Sequence, residues 1–529
     1  MPDEENKEKV NYDVEMFIDD TSTKEDVGGA KKDQVETFIV PGMDDGYNAK
    51  VKFVNKALQD IGMGWFQINL FITVGFGWFM DNFWMFAVSL ISIPIQRGFD
   101  VSSIAYMSLF KYVGLVVGAT LWPLLSDFIG RLSVFNITIF MSALSGLLAA
   151  GMPNYGSLNF FMFCIGFSTG GNQPVDSMLF VELIPGSHQQ LLLYESLFWG
   201  FGQFVASIIG WPFIVNFTCK SSDNCNYEGN LGWRYSYWTF GGLTLLMAIL
   251  RLLARMYESP KYYIGKGMDA QAAEIVQKIA RRNKTTTWLT VDHFKKVDAE
   301  FAEKGLKVQN VDEIEKEIVA RYLDNFKKWK ILFKTRKMAI TTAFLWLIWG
   351  LAGIGFPLFN NFLPLYLEAK GSSTGSSSLN RTYRDYAIQS VVAVPSGLIA
   401  GYFSNVKYIG RKGIGAFGGI LTGVFMYLFT STNNQKQYLA YNCLVNFLST
   451  FIYAAMYTYT PEVYPAPIRG VATASCSFWN RICGLMGPVI ALNLNLNSGK
   501  PVFISGALYM AAGVIFLLLP FETRNTAAS

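Results

Sequence analysis

The sequence predicts an all-α membrane protein, with twelve transmembrane helices folded as two six-helix pseudo-symmetric halves, and three observations lead there. Of 529 residues 51% are hydrophobic and only 16% charged, with a mean hydropathy of +0.26, where a soluble chain carries about a quarter charged residues. Apolar stretches of about 20 residues, the length that crosses a bilayer as a helix, recur along the chain. A self-match at one offset completes the case. Gly130-Arg131 recurs as Gly410-Arg411, and Glu182-Leu183-Ile184-Pro185 recurs as Glu462-Val463-Tyr464-Pro465, each 280 residues later. A polar pair and an acidic-proline turn repeated in register mean two copies of one membrane half-bundle.

The apolar segments fall at roughly 67–90, 104–125, 132–151, 159–181, 190–214, 236–255, 338–359, 386–403, 412–430, 437–459, 470–493 and 501–520. They divide the chain into a tail (1–60), a first bundle (61–256), a hydrophilic linker (257–337), a second bundle (338–520) and a short terminal tail (521–529). Lys50, Lys52 and Lys56 precede the first span, and Arg131, Arg251, Arg255, Lys261, Lys334, Arg336, Lys337, Arg411, Lys412 and Arg469 fall on the same side. The positive-inside bias places that side, with both termini, in the cytosol. Residues 1–50 are polar and acidic, unlike a signal peptide, and predict a largely disordered tail. The linker reads as short cytosolic helices over Met268–Arg282 and Asp312–Lys330, joined by a turn at Asn283-Lys284-Thr285, which latch the two halves or, as the alternative, serve regulation or partner docking.

On the outer side, Asn216-Phe217-Thr218 is a glycosylation triplet beside Cys219 and Cys225, which suit a disulfide-closed hairpin; Asn380-Arg381-Thr382 is a better placed acceptor. A net charge of +5 scattered along the chain does not argue for nucleic acid, and the six cysteines lack metal-site spacing. With His188 and His293 as the two histidines, no nucleophile–base pair emerges and no cofactor is implied. The linker has no phosphate-binding G-x4-G-K-[ST], which excludes an ATP-driven pump.

Asp127-Phe128-Ile129-Gly130-Arg131 resembles the D-x-x-G-R signature of the major facilitator superfamily, and Glu258-Ser259-Pro260-Lys261-Tyr262 resembles an element of its sugar-porter-like branch. The stretch from Tyr459 to Gly470 and the closing Pro520-Phe521-Glu522-Thr523-Arg524 are similar to two further elements of that branch. Ala57–Gln67 followed by Gly77-Trp78-Phe79-Met80-Asp81, together with Cys476-x4-Arg481, resembles the synaptic-vesicle-type transporters and their fungal relatives. The chain departs from those patterns at three places. Trp84 stands where animal members tend to carry a second acid, Lys407 stands where the second half would repeat Asp127, and Glu182 leads into His188-Gln189 rather than Arg-Gly.

Asp127 and Arg131 are one helical turn apart, and Glu182 and Glu462 end spans four and ten within reach of Arg131 and Arg411. With Gly130, Gly410 and Arg469 they form a candidate cytosolic gate, a two-state latch whose exposed pairs contribute about 1 kcal/mol each, with plain topology anchors as the alternative. Asp81, Asp176 and Arg481 lie deep in spans, where an unpaired charge costs at least about 2.5 kcal/mol. Asp81 resembles the span-one aspartate that couples protons in sugar-porter-like symporters; a static Asp81–Arg481 pair is the competing reading. Glu195, opening span five, reads as an interfacial charge. Gln173, Gln203, Asn360, Asn361 and Asn480 offer amides at similar depth, and Trp84 and Trp479 offer flat walls. These amides with one acid and one arginine suit a sugar, a polyol or a small organic ion or carboxylate, and the resemblance implies a monomeric secondary transporter that moves it by alternating access with protons, in the plasma membrane rather than a vacuolar or vesicle membrane. A non-transporting sensor or vesicle-membrane interaction protein on the same scaffold is the alternative.

Overall fold

A computed structural model describes residues 45–520 apart from 100, 102, 190, 220–224, 304–328, 374–377, 405–409, 433, 465 and 497. Twelve helices of 19 to 29 residues form its body. The first half holds α2 (Trp65–Leu90), α4 (Ala105–Ile129), α5 (Arg131–Ala150), α6 (Tyr155–Leu183), α7 (Ser196–Asn216) and α8 (Gly232–Leu253), with the short α3 (Ser92–Gly98) after α2. The second holds α12 (Arg336–Asn360), α14 (Leu379–Ser404), α15 (Gly410–Ser431), α16 (Gln435–Val463), α17 (Ala466–Leu492) and α18 (Lys500–Leu518), with α13 (Leu363–Ser373) after α12. Ten of the twelve are long and apolar enough to cross a membrane by composition alone. The other two, α6 and α17, are as long but more polar, since they carry Gln173, Asp176, Asn480 and Arg481.

The packing repeats as the sequence does. In the first half α2 lies on α7, α4 on α6 and α5 on α8; in the second α12 lies on α17, α14 on α16 and α15 on α18. The halves meet through α4 on α17 and α7 on α14, a pair that a two-fold rotation exchanges. At the start of each matched motif the chain turns through a glycine of positive φ, +98° at Gly130 and +62° at Gly410, a conformation that a side chain would strain.

On one end of the bundle, here the linker face, α1 (Asp45–Ile61) packs with α9 (Pro260–Gly265), α10 (Asp269–Arg282) and α11 (Val291–Glu303). The expectation of a disordered tail up to residue 60 is corrected here, because α1 buries Phe53, Val54, Ala57 and Leu58 against the linker helices. Lys50 pairs with Asp269 at 2.6 Å and Asp298 at 2.8 Å, so this lysine is a tie between helices rather than a free flanking charge. Asn283 caps the first span: its Oδ1 accepts from the Phe66 N–H at 3.0 Å and its Nδ2 donates to Gln67 Oε1 at 2.7 Å. That fills donors which a helix start leaves open. The described linker helices thus pack on the first half; most of the expected Asp312–Lys330 helix lies outside the described residues, as do residues 1–44 and 521–529.

Candidate functional site

Polar side chains from both halves converge where α2, α4 and α6 face α16 and α17. Gln173 of α6 is the link. Its Oε1 accepts from Arg481 Nη2 at 3.2 Å, and its Nε2 donates to the Tyr457 hydroxyl at 3.3 Å. Arg481 also donates to the Gly170 carbonyl at 3.0 Å, so one arginine of the second half is held by two acceptors of the first. Asp81 lies in the electrostatic field of both Arg481 and Lys111, yet among the described residues its partly exposed carboxylate forms no ion pair and accepts no hydrogen bond. The static Asp81–Arg481 pair is therefore not formed. Asn82, the next residue, donates to the Trp199 carbonyl at 2.9 Å.

Aromatic rings continue this cluster across the halves. Trp78 and Trp199 lie 5.1 Å apart, Trp199 meets Tyr457 edge-on at 5.8 Å, and Tyr457 meets Trp349 edge-on at 4.9 Å. Trp84 stands elsewhere: it is fully buried within the first half, edge-on to Phe83, Tyr237 and Phe240. Trp479 stacks on Trp346 at 5.7 Å and is 37% exposed. Asn480 donates to the Trp349 carbonyl at 2.7 Å, tying α17 to α12. Gln203 is buried with its Nε2 unpaired, and Asn361 brings its buried amide up to the Tyr112 hydroxyl without reaching hydrogen-bond geometry.

Asp176 sits apart from Asp81, in a second charged cluster inside the first half. Its Oδ2 meets Arg251 Nη2 at 2.5 Å with both side chains fully buried. Arg251 further donates to the carbonyls of Thr73 at 3.0 Å and Phe135 at 2.6 Å, with its guanidinium 3.5 Å from the Phe135 ring centre. Gly77 makes the room, since a Cβ there would run into the Asp176 carboxylate. Arg251 is thus an internal counter-ion, where the sequence suggests a flanking anchor. Glu195 is also fully buried rather than interfacial; it feels the charges of Asp176 and Arg251, and among the described residues neither of its oxygens has a hydrogen-bond partner.

On the linker face each half carries its arginine–glutamate pair. Arg131 Nε lies 2.8 Å from Glu182 Oε2, with Asp127 Oδ1 3.6 Å from Arg131 Nη2. Arg411 binds Glu462 through two nitrogens, at 3.0 and 2.9 Å. The Glu258 carboxylate caps α5, accepting from the N–H groups of Arg131 at 3.1 Å and Leu132 at 2.9 Å. Burial pushes this carboxyl above its ordinary range, while those N–H groups and Arg131 pull it down. The Arg469 side chain and Lys407 lie outside the described residues.

Bonds between the halves also gather at the opposite end, beside the Cys219–Cys225 disulfide. Ser89 Oγ donates to the carbonyls of Asn360 at 2.8 Å and Asn361 at 3.1 Å, and the Tyr383 hydroxyl donates to the Leu90 carbonyl at 2.5 Å. Arg97 pairs with Glu368 and donates to the Cys219 carbonyl at 2.5 Å. Asn380 Oδ1 accepts from Trp211 Nε1 at 2.8 Å, while Asn216 Nδ2 bonds back to its own helix at the Pro212 carbonyl.

Lys111 is the functional candidate that the sequence reading passes over. It interrupts an apolar stretch between Phe110 and Tyr112, and a charge inside a span is a signal of function in its own right.

A duplicated helical bundle whose halves share a polar cluster at mid-depth is the architecture of a secondary transporter. A family model for the Major Facilitator Superfamily matches residues 70–488, and the chain belongs to that superfamily of transporters, not enzymes. It is 38% identical to MFS siderochrome iron transporter 1 of Ceriporiopsis subvermispora, over 94% of this chain and 95% of that one. It is 36% identical to the major facilitator-type transporter hxnZ of Emericella nidulans, over 94% and 91%. The synaptic vesicle 2-related protein of Rattus norvegicus stands further off at 25%, so the kinship lies with the fungal transporters before the synaptic-vesicle type. The fold is similar to the inward-open xylose transporter XylE of E. coli, with a TM-score of 0.64 at 15% identity over 87% of this chain and 98% of that one.

Proposed function

We propose that this protein moves a small polar organic solute by alternating access and couples that movement to protons through Asp81. The observation that carries the reading is the state of Asp81 itself. It is a deep carboxylate, partly exposed and without a direct partner among the described residues, beside an arginine that is held by the opposite half. A carboxylate so placed can take up a proton without first breaking a bond, and its change of charge is felt at Arg481, which ties the halves together. The two linker-face ion pairs suit a gate that closes and parts as the halves rock. In this reading the linker face is cytosolic, as its cations suggest, the protein works as a monomer in the plasma membrane, and Asn380 is the better glycan acceptor.

The test is gradient-driven uptake in proteoliposomes after a thermal-stability screen of sugars, monocarboxylates, organic cations and amino acids at two pH values. Asp81→Asn is expected to abolish accumulation against a gradient while sparing exchange. Accumulation with unchanged pH dependence in that variant would remove the proton role.

A further inference from the structure

Among the described residues the buried Lys111 amine meets no oxygen acceptor. It is 1% exposed, and among the described residues its Nζ meets the Met85 thioether at 2.7 Å and the Tyr112 ring, 5.6 Å from its centre. A thioether is a weak acceptor, so an ammonium with three donors is left largely unsatisfied in a place where charge is costly. Met85 is one turn beyond Asp81 on α2, so its Cα lies about 6 Å further along that helix. Arg481 of α17 acts on the Asp81 carboxylate, whose charge also reaches Tyr112 of α4 and Tyr457 of α16. With Lys111 and Arg481 protonated and Asp81 ionised, the cluster carries one positive charge in excess.

We propose that the cluster binds an organic monoanion, with Lys111 and Arg481 receiving its carboxylate while Asp81 takes up one proton. This inference rests on the transport reading above and names its substrate class. The excess charge is then the same in the empty and the loaded carrier, because the anion and the proton cancel. One proton and one monoanion cross together and no net charge moves. Unloaded, the Asp81 carboxylate balances part of the Lys111 charge; loaded, the substrate carboxylate replaces it. Substrate and proton therefore favour each other's binding, as linkage requires. A sugar or a cation would leave the ammonium unsatisfied, so neither suits the site.

Nicotinate and benzoate serve as probes, with nicotinamide, benzamide, xylose and tetraethylammonium as uncharged or cationic controls. Full-length protein in liposomes is assayed under an imposed pH gradient with the membrane potential clamped by potassium and valinomycin, and in detergent by thermal shift. The expected result is acid-driven uptake of the carboxylates that is indifferent to potential. Lys111→Met should weaken carboxylate protection about ten- to a hundredfold, the loss of a charged hydrogen bond, while leaving the ligand-free protein as stable as before or more so. Lys111→Arg should retain part of the protection, which separates loss of charge from misfolding. Binding of xylose or tetraethylammonium with the carboxylates inert would overturn the anion site and leave transport standing. Carboxylate uptake that follows the membrane potential would overturn the charge balance. No uptake and no shift with any probe would overturn the anion site and count against the transport reading as well.

Discussion

Replacing Arg251 with Met should damage this protein more than any single change on its surface. The side chain is fully buried and holds three acceptors: Asp176 Oδ2 at 2.5 Å, the Thr73 carbonyl at 3.0 Å and the Phe135 carbonyl at 2.6 Å. Removing it strands the Asp176 carboxylate beside Glu195, and breaking a buried pair from one side costs about 3–5 kcal/mol. The Thr73 and Phe135 carbonyls lie inside α2 and α5 and keep their helical partners, so the stranded carboxylate dominates the cost. Against a total stability of about 5–15 kcal/mol that is enough to unfold much of the population. The double change Arg251→Met with Asp176→Leu removes both charges together and should recover most of the loss. Thermal unfolding in detergent, followed by tryptophan fluorescence and the monodisperse fraction on gel filtration, measures all three proteins. The reasoning is refuted if Arg251→Met melts with the wild type, or if the double variant is no better than the single one.

Asn283→Ala, which strips the cap from the first span, should cost about 1 kcal/mol and expose the α10–α11 region to trypsin earlier without changing helical content; the digestion time course reads this. Cys219 and Cys225 should resist a maleimide until the protein is reduced, whereas Cys164, Cys443 and Cys483 are free thiols whose labelling does not depend on reductant. Arg97→Glu should lower the melting temperature in detergent, and Arg97→Glu with Glu368→Arg should restore part of it; no recovery in the double variant would count against the pairing of α3 with α13.

The spans and the duplication are legible in the sequence because each depends on local properties, apolar length and motif spacing. The ion pairs Arg131–Glu182 and Arg411–Glu462 are also readable, since repetition marks both partners at once. Arg251 was harder, because a cation in the last turn of a span looks the same whether it anchors in lipid headgroups or turns inward to meet Asp176. The helix α1 was invisible for a different reason. Its charged, weakly apolar sequence has no buried face until α10 and α11 supply one, and that contact spans more than 200 residues. Glu258 could be recognised as part of a motif, but its work as a cap on α5 depends on a neighbour 127 residues earlier in the chain.

The cap of α1 with α9–α11 ties the beginning of the first half to its end, since Lys50 precedes the first span and Asp269 and Asp298 follow the sixth. A module whose two chain ends meet in its own contacts has the anatomy of an independent folding unit. The consequence is genetic as much as mechanical. Residues 45–303 should then fold when made as a separate polypeptide, and a gene cut within the linker should still yield an assembled pair of halves when its two products are synthesised together.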